Sequence, residues 1–385
     1  MKAFVFTDQA LTSEAGRFVW LEIDTEKAKN AAIRKRLGIV ALPTFFVVDP
    51  ADEKIVMRVI GGMNITQLQK MLADGKALTG GGALAGGSAA DAALAKAERL
   101  NGEGDDAAAA SAYLEAVKLA PASWPSYGRA VESALWSLSQ IDSNAAAVAL
   151  AKEAWPRVDN TVSSANVAAS GLGSALALPE GTPGRAEDVA MFEKEVRAAL
   201  DDPKLPLAGD DRSGLYISLL DARNDVKDSV GAHRVAEEWS KFLDGEAAKA
   251  KTPAERMVFD SHRLAAYIEI GHPEKAIPML EQSQKDAPDD YNPPARMAAA
   301  YRAMKKWPEA IAASDRALQR VYGPRTLNVL NSRTEIYLGM QDTVSARKTI
   351  EKAIATVEGL PAEQRSDRTV ASLKKRLATL TPAAQ

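Results

Sequence analysis

The sequence has 385 residues, of which 46% are hydrophobic and 26% are charged, so we expect several domains or one domain followed by a repeat array. Its 48 basic and 51 acidic residues give a net charge of -3 with no long basic block, which argues against a nucleic-acid partner. No window approaches the ~18 apolar residues of a spanning helix, so we expect no membrane insertion. The absence of cysteine excludes disulfides, thiolate metal sites and a thiolate nucleophile in this sequence.

The first 76 residues alternate helical and strand patterns, which predicts a small α/β domain. Residues rich in aromatic, β-branched and aliphatic side chains predict three strands, and apolar residues at helical spacing predict helices. The predicted order is a short helix with a turn at 1–16, a buried strand at 17–24, a helix at 26–37, a hairpin of strands at 44–49 and 54–60, and a last helix at 64–73.

Several motifs in this region resemble a bacterial thioredoxin-like domain. They are Val19-Trp-Leu-Glu-Ile-Asp24, the approach Gly38-Ile-Val-Ala-Leu-Pro43-Thr44, the Asp49-Pro50 turn and Gly61-Gly62. The resemblance implies that Leu42, Pro43 and Thr44 form a loop with a cis proline that docks an extended peptide. It also implies that the family's Cys-x-x-Cys and the strand leading to it would lie upstream of Met1, so the predicted sheet is incomplete.

Two interpretations of this incomplete sheet stay open. The natural gene product starts upstream and this sequence is a shortened version of it, or the domain is degenerate and a strand from a partner completes its sheet. No targeting signal is visible, so we expect a soluble chain of unassigned compartment, with the periplasm open if an upstream signal peptide exists.

Residues 77–90 have the glycine- and alanine-rich composition of a flexible linker, and residues 91–380 read as helix pairs. Tyr267, Tyr301 and Tyr337 recur at intervals of 34 and 36 residues, and Ala276, Ala310 and Ala346 follow each tyrosine by nine. Ala317 and Ala353 follow the second and third of these alanines by seven residues, about two helical turns, which predicts a face of small residues that lets helices approach closely.

This pattern resembles the tetratricopeptide repeat over residues 254–358 and 91–121, and decays into irregular repeats over residues 122–250. The predicted fold is therefore α/β plus all-α: an incomplete thioredoxin-like sheet followed by a tetratricopeptide-type α-solenoid. We expect five helices in the irregular part, loops at 179–184 and 202–206, and a closing helix that includes residues 374–380.

The tetratricopeptide resemblance implies a groove that binds a protein or peptide partner. Carrying the family's groove positions over by their offset from the three tyrosines selects six polar residues, which are His262, Arg296, Arg302, Asn328, Asn331 and Glu335. For any one of them, a solvated helix face is the alternative interpretation. Together they predict a groove of mixed polarity.

No motif predicts a catalytic centre, a cofactor or a metal site. The three histidines share no ligand spacing, and the paired aspartates lie beside proline or glycine in predicted turns. Two functions remain open: a non-enzymatic interaction scaffold with a redox-silent thioredoxin-like module, or a fragment of a thiol-disulfide oxidoreductase whose cysteines lie upstream of Met1.

Overall fold

The computed structural model describes residues 1–39, 42–82 and 87–380. Within these residues the chain divides into two compact units, the first containing Met1–Arg17 and Gly38–Val235, the second Phe18–Leu37 and the chain from Ala236 onward. The regular elements are α1 Ala31–Arg36, β1 Thr44–Val48, β2 Ile55–Ile60, α2 Ile65–Leu78, α3 Ala89–Glu103, α4 Asp106–Leu119, α5 Tyr127–Gln140, α6 Asn144–Val158, α7 Ser163–Ala177, α8 Arg185–Asp201, α9 Gly209–Asp225, α10 Ser229–Lys249, α11 Pro253–Met257, α12 Asp260–Glu269, α13 Ala276–Asp286, α14 Asn292–Ala303, α15 Trp307–Leu318, α16 Thr326–Gly339, α17 Thr343–Glu358 and α18 Asp367–Thr379.

The predicted hairpin is present in the first unit. Strand β1 pairs antiparallel with β2, with Phe45 opposite Val59 and a register shift between Val47 and Val48. Helix α2 packs against both strands, and α3 packs against β2, so the two-stranded sheet gains apolar cover from helices. A capping box between Asn64 and Gln67 starts α2, which continues to Leu78.

Helix α2 approaches the sheet closely through Gly75. A Cβ atom at this buried position would lie 2.6 Å from Val47 Cγ2, too close for either side chain to remain in place. We expect Gly75→Ala to lower the free energy of unfolding by about 1 kcal/mol, although alanine ordinarily favours a helix over glycine. Gly173→Ala is the matched control, because Gly173 lies within α7 with no atom within 4 Å of its Cβ position. Urea unfolding of both variants measures the difference, and equal stabilisation by the two alanines would contradict the close contact.

The strand predicted at residues 17–24 is wrong. These residues form turns and irregular backbone, and Val19 and Leu21 are 88% and 78% exposed. A strand needs a neighbour to pair its backbone groups, and no described residue pairs with this segment as a sheet neighbour. The helix predicted at 26–37 is shorter than expected, because a 3-10 turn at Ala28–Asn30 leads into the six-residue α1. The predicted N-terminal helix is a 3-10 helix at Gln9–Glu14.

The helical array is confirmed as a succession of helix pairs. In the first unit α3 packs on α4, α5 on α6 and α7 on α8, while α5, α7 and α9 contact one another in sequence. In the second unit the pairs are α12 with α13, α14 with α15 and α16 with α17, and the first helices α12, α14 and α16 again contact one another. Consecutive first helices therefore form one face of each unit, as a repeat stack requires.

The turn between the helices of a pair repeats with the same geometry. Four residues after each repeat tyrosine, Gly271, Lys305 and Gln341 adopt a positive φ of 74°, 57° and 60°. The next amide donates to the tyrosine carbonyl, closing a Schellman-type C-cap. A residue with positive φ, followed by the same backbone hydrogen bond, recurs after α3, α5 and α9, at Gly104, Asp142 and Lys227. The irregular middle of the sequence therefore keeps this turn after α5 and α9 although its signature side chains are lost.

The repeat alanines are buried between helices, as predicted. Ala276, Ala310, Ala346 and Ala317 have no exposed surface, and Ala353 is 1% exposed. The closing helix is also confirmed. It begins at Asp367, and Leu373 from α18 packs in a cluster with residues of α16 and α17, which covers the apolar face of the last pair.

The five helices predicted between residues 122 and 250 are present as α5, α6, α8, α9 and α10, and the two predicted loops lie on either side of α8. The sequence prediction omitted α7. The predicted linker contains the end of α2 and the start of α3; its residues 83–86, and the predicted frayed end at 381–385, lie outside the described residues. None of the described helices is long and apolar enough to cross a bilayer.

Candidate protein-binding surface

A crevice of mixed polarity lies between the first helices of two successive pairs in the second unit. It has a volume of about 190 Å³ and separates α14 from α16, with α15 behind. Amide, hydroxyl and guanidinium groups share its wall with small apolar side chains; the lining residues are Tyr291, Asn292, Ala295, Ala298, Ser314, Arg325, Asn328, Val329 and Ser332. Such a surface offers hydrogen bonds to a peptide backbone and space for apolar side chains.

A second cavity of about 210 Å³ adjoins this crevice at the start of the two helices. Tyr291, Asn292 and Arg325 line both cavities, and Glu26 and Tyr322 complete the second. Tyr322 and Arg325 come from the connection between α15 and α16, where a 3-10 turn at Gly323–Arg325 precedes α16. Glu26 comes from the distant segment Phe18–Leu37, which belongs to the same compact unit.

Residues 24–26 lie against this connection and against the one that follows α17. Tyr322 Oη donates to Asp24 Oδ2 at 2.6 Å, and Arg325 Nε donates to Glu26 Oε1 at 3.2 Å. Gln364 Nε2 donates to the Thr25 carbonyl at 3.0 Å. Two inter-helix connections thus recognise two carboxylates and the backbone carbonyl between them.

The backbone of the segment also approaches the second unit closely. Gly323 has a φ of +59°, and a Cβ atom there would lie 2.1 Å from the Glu26 carbonyl oxygen. Only glycine permits both the left-handed backbone and the close approach. Helix α1, which lies within the same segment, packs on the 3-10 turn at Ala362–Gln364.

The proton equilibria of Asp24 and Tyr322 reflect their hydrogen bond. Burial opposes ionisation of Asp24, but the bond from Tyr322, the Glu26 amide and Lys27 outweigh it and lower the pKa of Asp24. The same bond raises the pKa of Tyr322, since Asp24 stabilises its protonated form. The contact is therefore at full strength between about pH 4 and pH 10, weakening in acid as Asp24 protonates and in alkali as Tyr322 ionises.

Three of the six predicted groove residues lie on α16 and have different environments. Asn328 lines the crevice between α14 and α16 and is exposed. Glu335, seven residues further along α16, is bonded to Arg376 of the closing helix. Asn331 lies between them in sequence and is half-buried.

The other three predicted residues lie on α12 and α14. The His262 ring lies 5.8 Å from the Trp239 ring of α10, so it packs against that side chain. Arg296 is half-buried on α14 near Asp260, whose pKa is raised by burial while Arg296 is among the cations that oppose the rise. Arg302 is exposed in the last turn of α14. Of the six, only Asn328 lines either described cavity.

Two polar clusters repeat along the second unit and were missed by the sequence interpretation. Arg263 Nε donates to Asp244 Oδ1 at 2.9 Å, and Tyr267 Oη donates to the same oxygen. Three residues of the later repeat form a similar cluster: Arg333, Tyr337 and Asp315. In both, an arginine lies four residues before the repeat tyrosine and an aspartate comes from the preceding second helix. This Arg-x-x-x-Tyr spacing is the signal that could have found them.

The predicted peptide-docking loop lies in the first unit, at the start of β1. The Leu42–Pro43 peptide bond is cis. Leu42 is 52% exposed, Pro43 is exposed and Thr44 is half-buried at the first position of the strand. Its peptide-docking role stays a prediction.

No group of three or more histidine, aspartate or glutamate side chains within the described ranges is arranged to hold a metal ion. No protein-family model matches the sequence, and no curated protein matches it.

Three solved structures of repeat or chaperone proteins share limited similarity with this chain. A tetratricopeptide repeat protein from Parabacteroides merdae is 13% identical with a TM-score of 0.48, and the match covers 75% of this chain and 98% of that one. The TPR2AB domain of yeast Sti1, in complex with pHSP90, is 15% identical with a TM-score of 0.27, over 76% and 100% of the two chains. The RpL4 assembly chaperone Acl4 is 17% identical with a TM-score of 0.35, over 75% and 97%. Because these scores are low, the helix-pair architecture rests on the turns, alanines and packing described above.

Proposed function

We propose that this chain is a non-enzymatic interaction scaffold that binds a protein or peptide along the first helices of its second unit. The observation that carries the proposal is the crevice between α14 and α16, whose wall combines apolar surface with amide, hydroxyl and guanidinium groups. Its amide and hydroxyl groups suit the backbone of an extended segment, and its small apolar side chains leave room for the segment's own side chains. The tetratricopeptide resemblance of the sequence supports the same kind of partner.

A phage-displayed library of random 12-residue peptides tests this function directly. We expect selection on the intact chain to enrich a consensus peptide, and we expect that peptide to bind the Asn328→Ala/Ser332→Ala variant at least tenfold more weakly. Both residues line the crevice one helical turn apart. The matched control is Glu351→Ala/Lys352→Ala, which alters two exposed residues of the second helix α17.

Isothermal titration with the synthetic consensus peptide gives the affinities, and circular dichroism establishes that each variant is folded. Failure to enrich any consensus, or equal binding by the crevice variant and the control variant, would contradict binding at this face.

We propose further that the hairpin β1–β2 and helix α2 are a redox-silent thioredoxin-like module. The antiparallel hairpin followed by a helix that packs on both strands supports this assignment. The missing strand at residues 17–24 weighs against it. Under this proposal the exposed Leu42 and Pro43, with Thr44, offer a docking loop for an extended peptide. We propose no redox activity for this chain, because its sequence has no cysteine.

A further inference from the structure

The segment Phe18–Leu37 lies in the second unit although more than 200 residues separate it from the helices it contacts. From residue 19 to residue 24 it has neither helix nor strand, and Val19 and Leu21 are mostly exposed. Residues 24–26 contact the connections between the helices of this unit, where they meet Tyr322, Arg325 and Gln364. An irregular stretch of chain is thus anchored to the repeat helices through these polar contacts and through the packing of α1.

Residues 24–27 form a turn, in which the Lys27 amide donates to the Asp24 carbonyl and the Glu26 amide donates to Asp24 Oδ1. We propose that the surface formed by Tyr322, Gly323, Arg325 and Gln364 is a docking site for a peptide that forms such a turn with two carboxylates separated by one residue, and that residues 24–26 occupy it as an internal competitor. The inference rests on the proposed scaffold function and names a second binding surface on the same unit. The term connection site is used for these four residues.

The contacts define the ligand by its chemistry. Tyr322 Oη and Arg325 Nε each donate to a carboxylate, and Gln364 Nε2 donates to the carbonyl between the two acidic residues. Thr25 itself is only 5% exposed, so the middle side chain must fit a confined space. Because Gly323 has no Cβ atom, it lets the ligand backbone lie close against the turn. A segment that forms the same turn, with a small residue between its two acids, presents these same groups.

The internal segment leaves part of the connection site unused. Glu26 Oε2 is buried and has no hydrogen-bond partner within the described part of the chain. A cavity of about 210 Å³ remains beside it, lined also by Tyr291 and Asn292. The Tyr322 side chain is 49% exposed, so water competes for its bond to Asp24. A peptide from a partner that also fills this cavity would displace the internal segment.

A peptide with the chain's own sequence over residues 22–30, Glu-Ile-Asp-Thr-Glu-Lys-Ala-Lys-Asn, is the probe. It is labelled with fluorescein, and its binding to the full chain is measured by fluorescence anisotropy. We expect the Asp24→Ala/Glu26→Ala variant to bind it at least tenfold more tightly than the unaltered chain, because the competing segment is released. We expect the same peptide with Asn and Gln in place of its two acids to bind at least tenfold more weakly.

Two further substitutions in the released variant locate the binding. Tyr322→Phe and Arg325→Ala should each lower the affinity for the probe at least threefold, whereas the exposed control Lys352→Ala should leave that affinity unchanged. Equal probe affinity for the unaltered and released chains, or unchanged affinity after Arg325→Ala, would overturn the proposal. If the double variant does not fold, Asp24→Asn alone replaces it, with an expected gain of at least threefold and the same overturning results.

Hydrogen exchange gives a second readout without added peptide. Tyr322→Phe should accelerate amide exchange at residues 25–31 in the otherwise unaltered chain, and unchanged exchange there would also overturn the proposal. The Asn328→Ala/Ser332→Ala variant separates this inference from the proposed function. We expect the Asn328→Ala/Ser332→Ala variant to lose its affinity for the library-selected peptide. The same two substitutions in the Asp24→Ala/Glu26→Ala chain should leave its affinity for the probe peptide unchanged.

Discussion

Replacing Arg129 with methionine is expected to lower the free energy of unfolding of the first unit by about 3 kcal/mol at pH 8. Arg129 lies on α5, with Nη2 3.6 Å from Glu98 Oε1 and Nη1 3.5 Å from Asp74 Oδ2. Glu98 is only 1% exposed, so loss of the guanidinium leaves a carboxylate out of water without its cation. Methionine keeps most of the apolar stem, which separates the charge effect from a loss of packing.

The cost of Arg129→Met should shrink on acidification. Burial already raises the pKa of Glu98, and Arg129 opposes that rise, so its removal raises the pKa further. A carboxyl whose pKa is higher in the folded than in the unfolded state binds a proton preferentially when folded. The variant therefore loses stability as pH rises from about 4 through the folded pKa, and we expect its deficit at pH 5 to be about 1 kcal/mol smaller than at pH 8.

Urea unfolding, monitored by hydrogen exchange of amides in α5, measures this deficit in the free energy of unfolding. Lys152→Met is the matched control in the same unit, because Lys152 is half exposed and pairs with Asp188 across the surface. We expect the control to change stability by less than about 1 kcal/mol. A deficit for Arg129→Met as small as the control's, or one that grows in acid, would contradict the assigned role of Arg129.

Ala310→Leu is expected to lower the free energy of unfolding of the second unit by about 2–3 kcal/mol. Ala310 has no exposed surface on α15, which packs against both α14 and α16. A leucine there adds three carbon atoms where helices meet through small residues. The helices must separate or adopt strained rotamers, and either response costs packing.

Ala312→Leu on the same helix is the control, because Ala312 is exposed and leucine has nearly the helix propensity of alanine. Urea unfolding of the two variants should place only Ala310→Leu well below the unaltered chain. Comparable stability of the two leucine variants would show that the repeat alanines are not required for close helix packing.

The structure also shows which parts of the candidate site the sequence could not predict. The offsets from the tyrosines selected Asn328, which lines the crevice, but they could not show that Glu335 bonds Arg376 or that His262 packs on Trp239. Those partners come from the closing helix and from α10. The spacing of residues within one helix does not predict which residues of other helices lie next to it. The strand predicted from the aromatic, β-branched and aliphatic composition of residues 17–24 failed for the same reason, since a strand pattern does not supply the strand that must pair with it.

The sequence by itself determined the helix pairs of this protein, because the buried alanines and the tyrosine interval are local and periodic properties of the chain. It also determined the hairpin, through two apolar runs on either side of an Asp-Pro turn. Only the tertiary structure decided that residues 24–26 meet Tyr322, Arg325 and Gln364. That contact joins residues about 300 positions apart through side chains of irregular loops, and loop side chains have no periodicity from which a partner can be inferred.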